Sequence, residues 1–498
     1  MTTEDGERAL VVLGGGPAGL TAAYQVQKVT GDVRPMVIEA GRIVGGIART
    51  ESYKGYRFDI GGHRFFTKVP EVEALWHEIM GDDFITVQRK SRIYYRKKFF
   101  DYPLKIGNAL GNMGTKEALH IMASYAKWKL RPHKQEENLE EWVMNRFGGR
   151  LYMHFFRSYT EKVWGIPCTE INADWAEQRI KNLSLYAAVR NAISGANDTA
   201  SLIEEFQYPR LGPGMMWEKV SDMVEARGGA VRREARVTAI RREGLRITRI
   251  ETDGPEGEQC YDADEVISTL ALDDLIAMID PPPPPEVVAA AADLKYRDFL
   301  IVTLVLDDAD PFDDNWIYIH EPDVDVGRIQ NFRAWSVDML PDQETSSIGM
   351  EYFCNVGSEL WNMSDEALIE KASAELEALG LSSRQQVIDG AVIRQPKAYP
   401  VYDDKYRASV DVISGWLRTL ENFQTVGRNG LHRYNNQDHS MLTAMLAADN
   451  LAGGNHDVWT VNVERSYHET FTASEARARA SVGGISGRGA DGRTGEAA

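Results

Sequence analysis

Ala9-Leu10-Val11-Val12-Leu13-Gly14-Gly15-Gly16-Pro17-Ala18-Gly19-Leu20 is the stretch on which the fold turns. Ala9 to Leu13 form a short apolar β run, and glycines follow at once in the spacing G-x-G-x-x-G. Gly14 permits a tight turn, Gly16 lets backbone approach a pyrophosphate, and Gly19 lets a helix that opens at Pro17 and Ala18 pack close to the strand. The unpaired N–H groups and partial positive charge at such a helix N-terminus suit phosphate. A helical stretch from Pro17 to about Lys28 and a second short strand, Pro35 to Glu39 (PMVIE), complete one βαβ unit. Glu39 ends that strand 20 residues after Gly19, where a carboxylate accepts hydrogen bonds from a ribose diol. The unit predicts a bound dinucleotide without separating FAD from NAD.

The 498-residue chain is long enough for two or three domains. Its 74 acidic and 56 basic residues leave a net charge of −18. That balance argues against nonspecific nucleic-acid binding and against anchorage on an anionic membrane, so a polyanionic substrate needs locally concentrated arginines. Cys168, Cys260 and Cys354 show no paired spacing, which predicts neither disulfides nor a metal site and fits a reducing cytoplasm. The acidic N-terminus predicts no secretory leader, and no apolar run approaches the ~20 residues that span a bilayer.

Beyond the βαβ unit the pattern is α/β with interruptions. The expected order is a first part of a Rossmann-like dinucleotide domain (8–101), a helical insertion (102–200), a second part (201–280), a mixed or antiparallel sheet domain for substrate (285–415), a last part (416–470) and a disordered tail (474–498). Lys116 to Leu130 and Leu139 to Phe147 are helical in the insertion. Pro281 to Pro285 read as a stiff joint. Phe299 to Leu306 (FLIVTLVL) and Ser347 to Phe353 read as strands, and Ser440 to Gly454 as a long apolar helix. Arg89 to Lys98 (RKSRIYYRKK) is basic and aromatic and reads as a solvated strand surface.

Glu39-Ala40-Gly41-Arg42-Ile43-Val44-Gly45-Gly46 resembles the E-x5-G-G extension of the glutathione-reductase-like and amine-oxidase-like flavoproteins, and Ala263 to Thr269 (ADEVIST) resembles a later segment of the same superfamily. These matches select FAD. Further segments resemble the UDP-galactopyranose mutases: Phe58-Asp59-Ile60-Gly61-Gly62-His63; Lys162-Val163-Trp164-Gly165-Ile166-Pro167; Trp175 to Arg179; Phe206 to Arg210 with Gly212, Gly214 and Trp217; Tyr399-Pro400; and Gly427-Arg428 with Asn436-Gln437-Asp438-His439-Ser440. The resemblance implies an FAD contact set of Gly14, Gly16, Pro17, Ala18, Gly19, Glu39, Ala40, Arg42, Gly45, Gly46, Gly61, Gly62, His63, Val237, Gly427, Arg428, Asn436, Gln437, Asp438 and Ser440.

On the substrate side it implies His63 beside the flavin, Arg179 and Arg328 as a diphosphate clamp, and Tyr399 as a hydroxyl for that diphosphate. Trp164, Trp335, His432 and Asn436 are the expected substrate contacts. Arg333 is also available for the second clamp position; Arg328 is preferred because Asn331 to Ser336 then matches, with Trp335 in place of a tyrosine. His432 falls near where the family carries a further tyrosine. The implied activity is FAD-dependent pyranose–furanose isomerisation of a nucleoside-diphosphate sugar, in which N5 of reduced flavin attacks the anomeric carbon. NAD(P)H is the expected occasional reductant, and a homo-oligomer is compatible with the resemblance. The alternative is a net oxidoreductase of the amine-oxidase, protoporphyrinogen-oxidase or phytoene-desaturase type, which shares the N-terminal signatures.

Overall fold

The computed structural model describes residues 8–102, 106–173 and 204–461. Arg179, Trp175 and the expected tail lie outside the described residues.

The opening apolar run is the strand Arg8–Leu13 at the centre of a five-stranded parallel sheet. Val33–Ile38 and then Ala230–Arg232 lie on one side of it, Glu265–Ser268 and then Phe423–Thr425 on the other. A parallel sheet is covered on both faces, which is why the run is continuously apolar instead of alternating. Leu10 and Val12 pack with the helices Pro17–Val29, Pro70–Met80, Gly214–Ala226 and Gln437–Leu451. Val11 and Leu13 point the other way, into a core shared with Ile240 and Ile250 of a four-stranded sheet and with the helices Leu272–Met278, Pro285–Ala292 and Tyr406–Leu417.

The second large sheet has seven strands, in the order Val387–Pro400, Tyr296–Leu306, Ser346–Cys354, Arg328–Asn331, Trp316–Ile319, Ser91–Tyr95 and Lys98–Asp101. Its strand Tyr296–Leu306, paired on both edges, also has both faces covered: Leu300, Val302, Leu304 and Leu306 meet the helix Asp365–Ala378, and Phe299 and Ile301 meet the aromatic core beneath the site. Between the strand pairs, residues 106–164 are almost wholly helical. The helix Leu139–Phe147 starts where Asn138 Oδ1 accepts from Glu141 N at 3.0 Å, a side-chain N-cap.

Two expected boundaries shift. The strands Ser91–Tyr95 and Lys98–Asp101, placed by sequence in the dinucleotide domain, complete the seven-stranded sheet by pairing with Trp316–Ile319. Pro285 is not the end of a free spacer: it occupies the first turn of the helix Pro285–Ala292, where a missing N–H costs nothing. That helix packs on Tyr406–Leu417 against the parallel sheet, so both belong to the dinucleotide-domain core and not to the substrate sheet. Among the described residues, no helix is long and apolar enough to cross a membrane.

Candidate active site

The dinucleotide cradle is built from backbone. Gly14 has φ +101°, and a Cβ on Gly19 would stand 1.9 Å from the Gly14 carbonyl oxygen, so neither position accepts a side chain. The helix Pro17–Val29 opens with no side-chain cap, leaving its N-terminal N–H groups for an anion. Glu39 orders the turn: its two carboxylate oxygens accept from Gly15 N and Gly41 N, each at 2.7 Å. Each oxygen keeps a second lone pair for a ribose hydroxyl. Gly45 donates to the Gly15 carbonyl at 2.8 Å, and Gly46 lies against Gly16. Half-buried Val237 follows closely on Ala235, which donates to the Glu39 carbonyl at 2.9 Å; Ala40 and Arg42 are exposed at the rim.

The last quarter of the chain closes the other side. Asn436 is the N-cap of Gln437–Leu451, and its N–H is met by His439 Nδ1 at 3.3 Å. Gln437 accepts from the Trp217 indole at 3.1 Å, while Asp438 and Ser440 are buried in the first turn. Gly427 lies against Ala18 at the start of the first helix. Glycines from three parts of the chain, an open helix N-terminus and a carboxylate at the ribose position fit an FAD-type cofactor.

The seven-stranded sheet faces this cradle with charge and aromatic rings. Arg328 stands in register with Tyr318 on one neighbouring strand and Glu351 on the other. Its Nε donates to Glu351 Oε2 at 2.5 Å, and Gln330 Nε2 donates to the other oxygen. Glu351 is fully buried; burial alone pushes its carboxyl upward, and the Arg328 charge opposes that shift. Arg328 itself stays cationic, because Glu351 and the surrounding Tyr399, Tyr318 and Tyr159 outweigh its desolvation. Its terminal nitrogens make no hydrogen bond to a described residue.

Tyr399 stacks on Tyr434 with centroids 5.4 Å apart, and the Arg428 guanidinium sits 5.4 Å and 5.0 Å from the two rings. Burial, then the neighbouring Tyr434, keeps the Tyr399 phenol protonated. Trp164 meets the same pair edge-on, 6.4 Å from Tyr399. The Trp164 segment is held by cations on backbone carbonyls. Arg297 Nε reaches Val163 O at 3.0 Å, and Lys162 Nζ reaches Glu321 O at 2.9 Å and Val326 O at 3.1 Å. Desolvation lowers the Lys162 ammonium to about 8.

His63 ends the Gly61–Gly62 loop. Its Nε2 lies 2.8 Å from the Ile60 carbonyl, and desolvation together with Arg428 and Arg328 brings its pKa down to about 4. The ring is therefore neutral near pH 7, with the proton on Nε2 toward Ile60 and a lone pair left on Nδ1. Asp59, four residues earlier, is buried beneath the loop on Tyr208 Oη and Thr50 Oγ1, and burial raises its carboxyl to about 7.

The expected FAD residues converge, as do His63, Arg328, Tyr399 and Trp164. Two expected substrate contacts do not. Trp335 is 2% exposed, its indole donates to Asn315 O at 2.9 Å, and it stacks on Trp316, so it backs Gly62 from inside the core. His432 is 2% exposed and packs edge-on to Tyr296 in a left-handed turn; Tyr434, two residues later, is the ring that stacks on Tyr399. Tyr159, Tyr318 and Glu351 went unread. Glu351 left a signal, as a lone carboxylate in the apolar strand Ser346–Cys354 demands a buried partner.

A G-x-G-x-x-G cradle extended by Gly45–Gly46, capped by a C-terminal helix and faced by a mixed sheet, defines a flavoprotein. The chain belongs to the flavin-containing amine oxidoreductase family, whose model matches residues 17–402. Its fold is similar to that of reduced UDP-galactopyranose mutase (TM-score 0.79, 20% identity, covering 94% of this chain and 100% of that one). It is also similar to a protein proposed to be a protoporphyrinogen oxidase, from Exiguobacterium sp. 255-15 (TM-score 0.67, 17% identity, covering 89% and 98%). In sequence it is 42% identical over 73 residues to coproporphyrinogen III oxidase of Mycobacterium leprae (strain TN), a match spanning 14% of this chain and 16% of that relative.

Proposed function

We propose that this protein is an FAD-dependent nucleotide-sugar mutase that interconverts pyranose and furanose forms without net oxidation. Arg328 carries the reading: a guanidinium oriented by a fully buried carboxylate, with its terminal donors left over, on the sheet face opposite the cradle. That is a bidentate grip for a phosphate, and an apolar substrate has no use for it. Bound reduced flavin supplies the nucleophile for the anomeric carbon. The chain's part is to hold the departing diphosphate through Arg328, with the Tyr399 hydroxyl donating to one of its oxygens. Neutral His63 offers a lone pair beside the sugar, and Trp164 closes the wall that excludes water. Arg179 is the proposed second clamp. The substrate is a nucleoside-diphosphate sugar, NAD(P)H the reductant, and the compartment the cytoplasm; a homo-oligomer is the proposed assembly.

A net oxidoreductase is the second reading, favoured by the short match to a porphyrinogen oxidase. Protein reduced with dithionite and incubated anaerobically with nucleotide sugars distinguishes the two. Ring isomerisation that stops when the flavin is oxidised is the expected result. Peroxide formed from a porphyrinogen by the oxidised protein in air, with every nucleotide sugar returned unchanged by the reduced protein, sinks the mutase.

A further inference from the structure

Across the strand Trp316–Ile319 from Arg328, a second group of cations meets aromatic rings. The Arg64 guanidinium carbon lies 5.4 Å from the Trp316 ring centroid, and that of Arg89 lies 5.5 Å from the same centroid and 5.6 Å from Tyr102. Tyr102 in turn leans on Tyr318, centroids 4.6 Å apart, so the group is continuous with the Arg328 cleft. It reaches solvent at Tyr102, which is 39% exposed.

Two donors here lack an acceptor. Arg89 Nε and the indole N–H of Trp316, a residue 4% exposed, are both buried without a hydrogen bond. Arg89 has no carboxylate partner among the described residues; its one side-chain bond is to Ser91 Oγ at 3.4 Å. A part-buried arginine with no counter-charge among the described residues is unexpected in a chain of net charge −18. Buried donors are ordinarily satisfied, and these two without an acceptor, one of them on the Arg89 guanidinium, call for an oxygen-bearing anion. Arg64 directly follows His63, which places the group by the loop at the reacting end of the cleft.

We infer that Arg64, Arg89, Tyr102 and Trp316 form a second anion subsite that takes a carboxylate on the sugar, making the substrate a nucleoside-diphosphate hexuronate. This rests on the mutase reading for the nucleotide. Arg328 holds the diphosphate, and the Arg64–Arg89 pair selects the sugar by its charge.

Titration calorimetry of the FAD-loaded protein with UDP-galactose and UDP-galacturonate tests it. The uronate is expected to bind at least about tenfold tighter, the value of one charge-assisted bond. Arg89→Gln should bring the uronate down to the level of the hexose, and Arg89→Lys should retain part of the preference. Equal affinities in the wild type, or a preference that survives Arg89→Gln, overturn the subsite while leaving the mutase standing. Should Arg89→Gln not fold, Arg64→Gln reads the same preference. If neither nucleotide sugar binds, the mutase reading fails, and citrate decides the subsite: binding lost in Arg89→Gln upholds it, and no binding to the wild type overturns it.

Discussion

Arg328 brings its charge into a site that answers with one carboxylate, and removing the arginine strands that carboxylate in apolar surroundings. Arg328→Ala is expected to destabilise the fold by about 3–5 kcal/mol, the cost of breaking a buried pair from one side. Adding Glu351→Gln should recover most of it in denaturant unfolding, because the orphaned charge is gone, while nucleotide-sugar binding stays lost. Stability that does not recover in the double variant contradicts the pairing. Asp59 supplies a pH test of a different sign. Its folded carboxyl titrates at about 7, above the ordinary carboxylate range, because burial outweighs Tyr208 and Thr50. A raised carboxyl stabilises the fold at low pH and loses that contribution as pH climbs from ~4 through 7. Asp59→Asn should therefore melt near the wild type at pH 5 and above it at pH 8; a difference that does not change with pH removes the buried-acid account. At this scale the sequence was partly legible. Arg328 was preferred to Arg333 on pattern alone; the structure pairs Arg328 with buried Glu351 and Arg333 with exposed Asp310. His432, expected at the substrate, is buried, and Tyr434 is the ring that meets Tyr399, because residues of a turn carry no periodicity that tells which side chain faces the cleft.

Elements positioned by backbone contacts were the easiest to read and give the sharpest element-level prediction. The helix Pro17–Val29 approaches its strand only because Gly19 has no Cβ: one added there would sit 1.9 Å from the Gly14 carbonyl. Gly19→Ala is expected to yield protein without the flavin absorbance band, with the seven-stranded sheet still folded by circular dichroism. A yellow Gly19→Ala protein would refute the close-packing role. The strand Tyr296–Leu306 was legible for a different reason, since burial on both faces leaves an unbroken apolar run. Ser91–Tyr95 was misassigned because its partner, Trp316–Ile319, lies more than two hundred residues away and neither strand records the pairing.

Across the whole molecule, the flavin cradle draws on both ends of the described chain, from Gly14 to Ser440, so cofactor binding and folding of the parallel-sheet core are one equilibrium. Excess FAD at about a hundred times its dissociation constant should stabilise that core by about 2.7 kcal/mol. A melt should show this as an upward shift of the transition reported by Trp76 and Trp217, which are buried in that core. An unchanged midpoint would separate the cradle from the stability of the sheet. The four arginines gathered around the cleft, Arg64, Arg89, Arg328 and Arg428, come from segments spread over most of the chain. Their concentration within a strongly acidic molecule is a property of the assembled sheet alone.

The sequence by itself determined the dinucleotide unit, because turn, strand, helix N-terminus and carboxylate are local features within some thirty residues; the family and the flavin came from the resemblance of further short segments, Glu39 to Gly46 and Ala263 to Thr269. It also marked His63 and Tyr399 through short motifs. Only the tertiary structure decided that Trp335 is core, that Tyr434 and not His432 meets Tyr399, that Glu351 orients Arg328, and that Arg64 and Arg89 share one indole. Those facts depend on strand pairing and burial between distant segments. The free energy that selects such pairings is spread over many weak contacts and leaves no mark on any one stretch of residues.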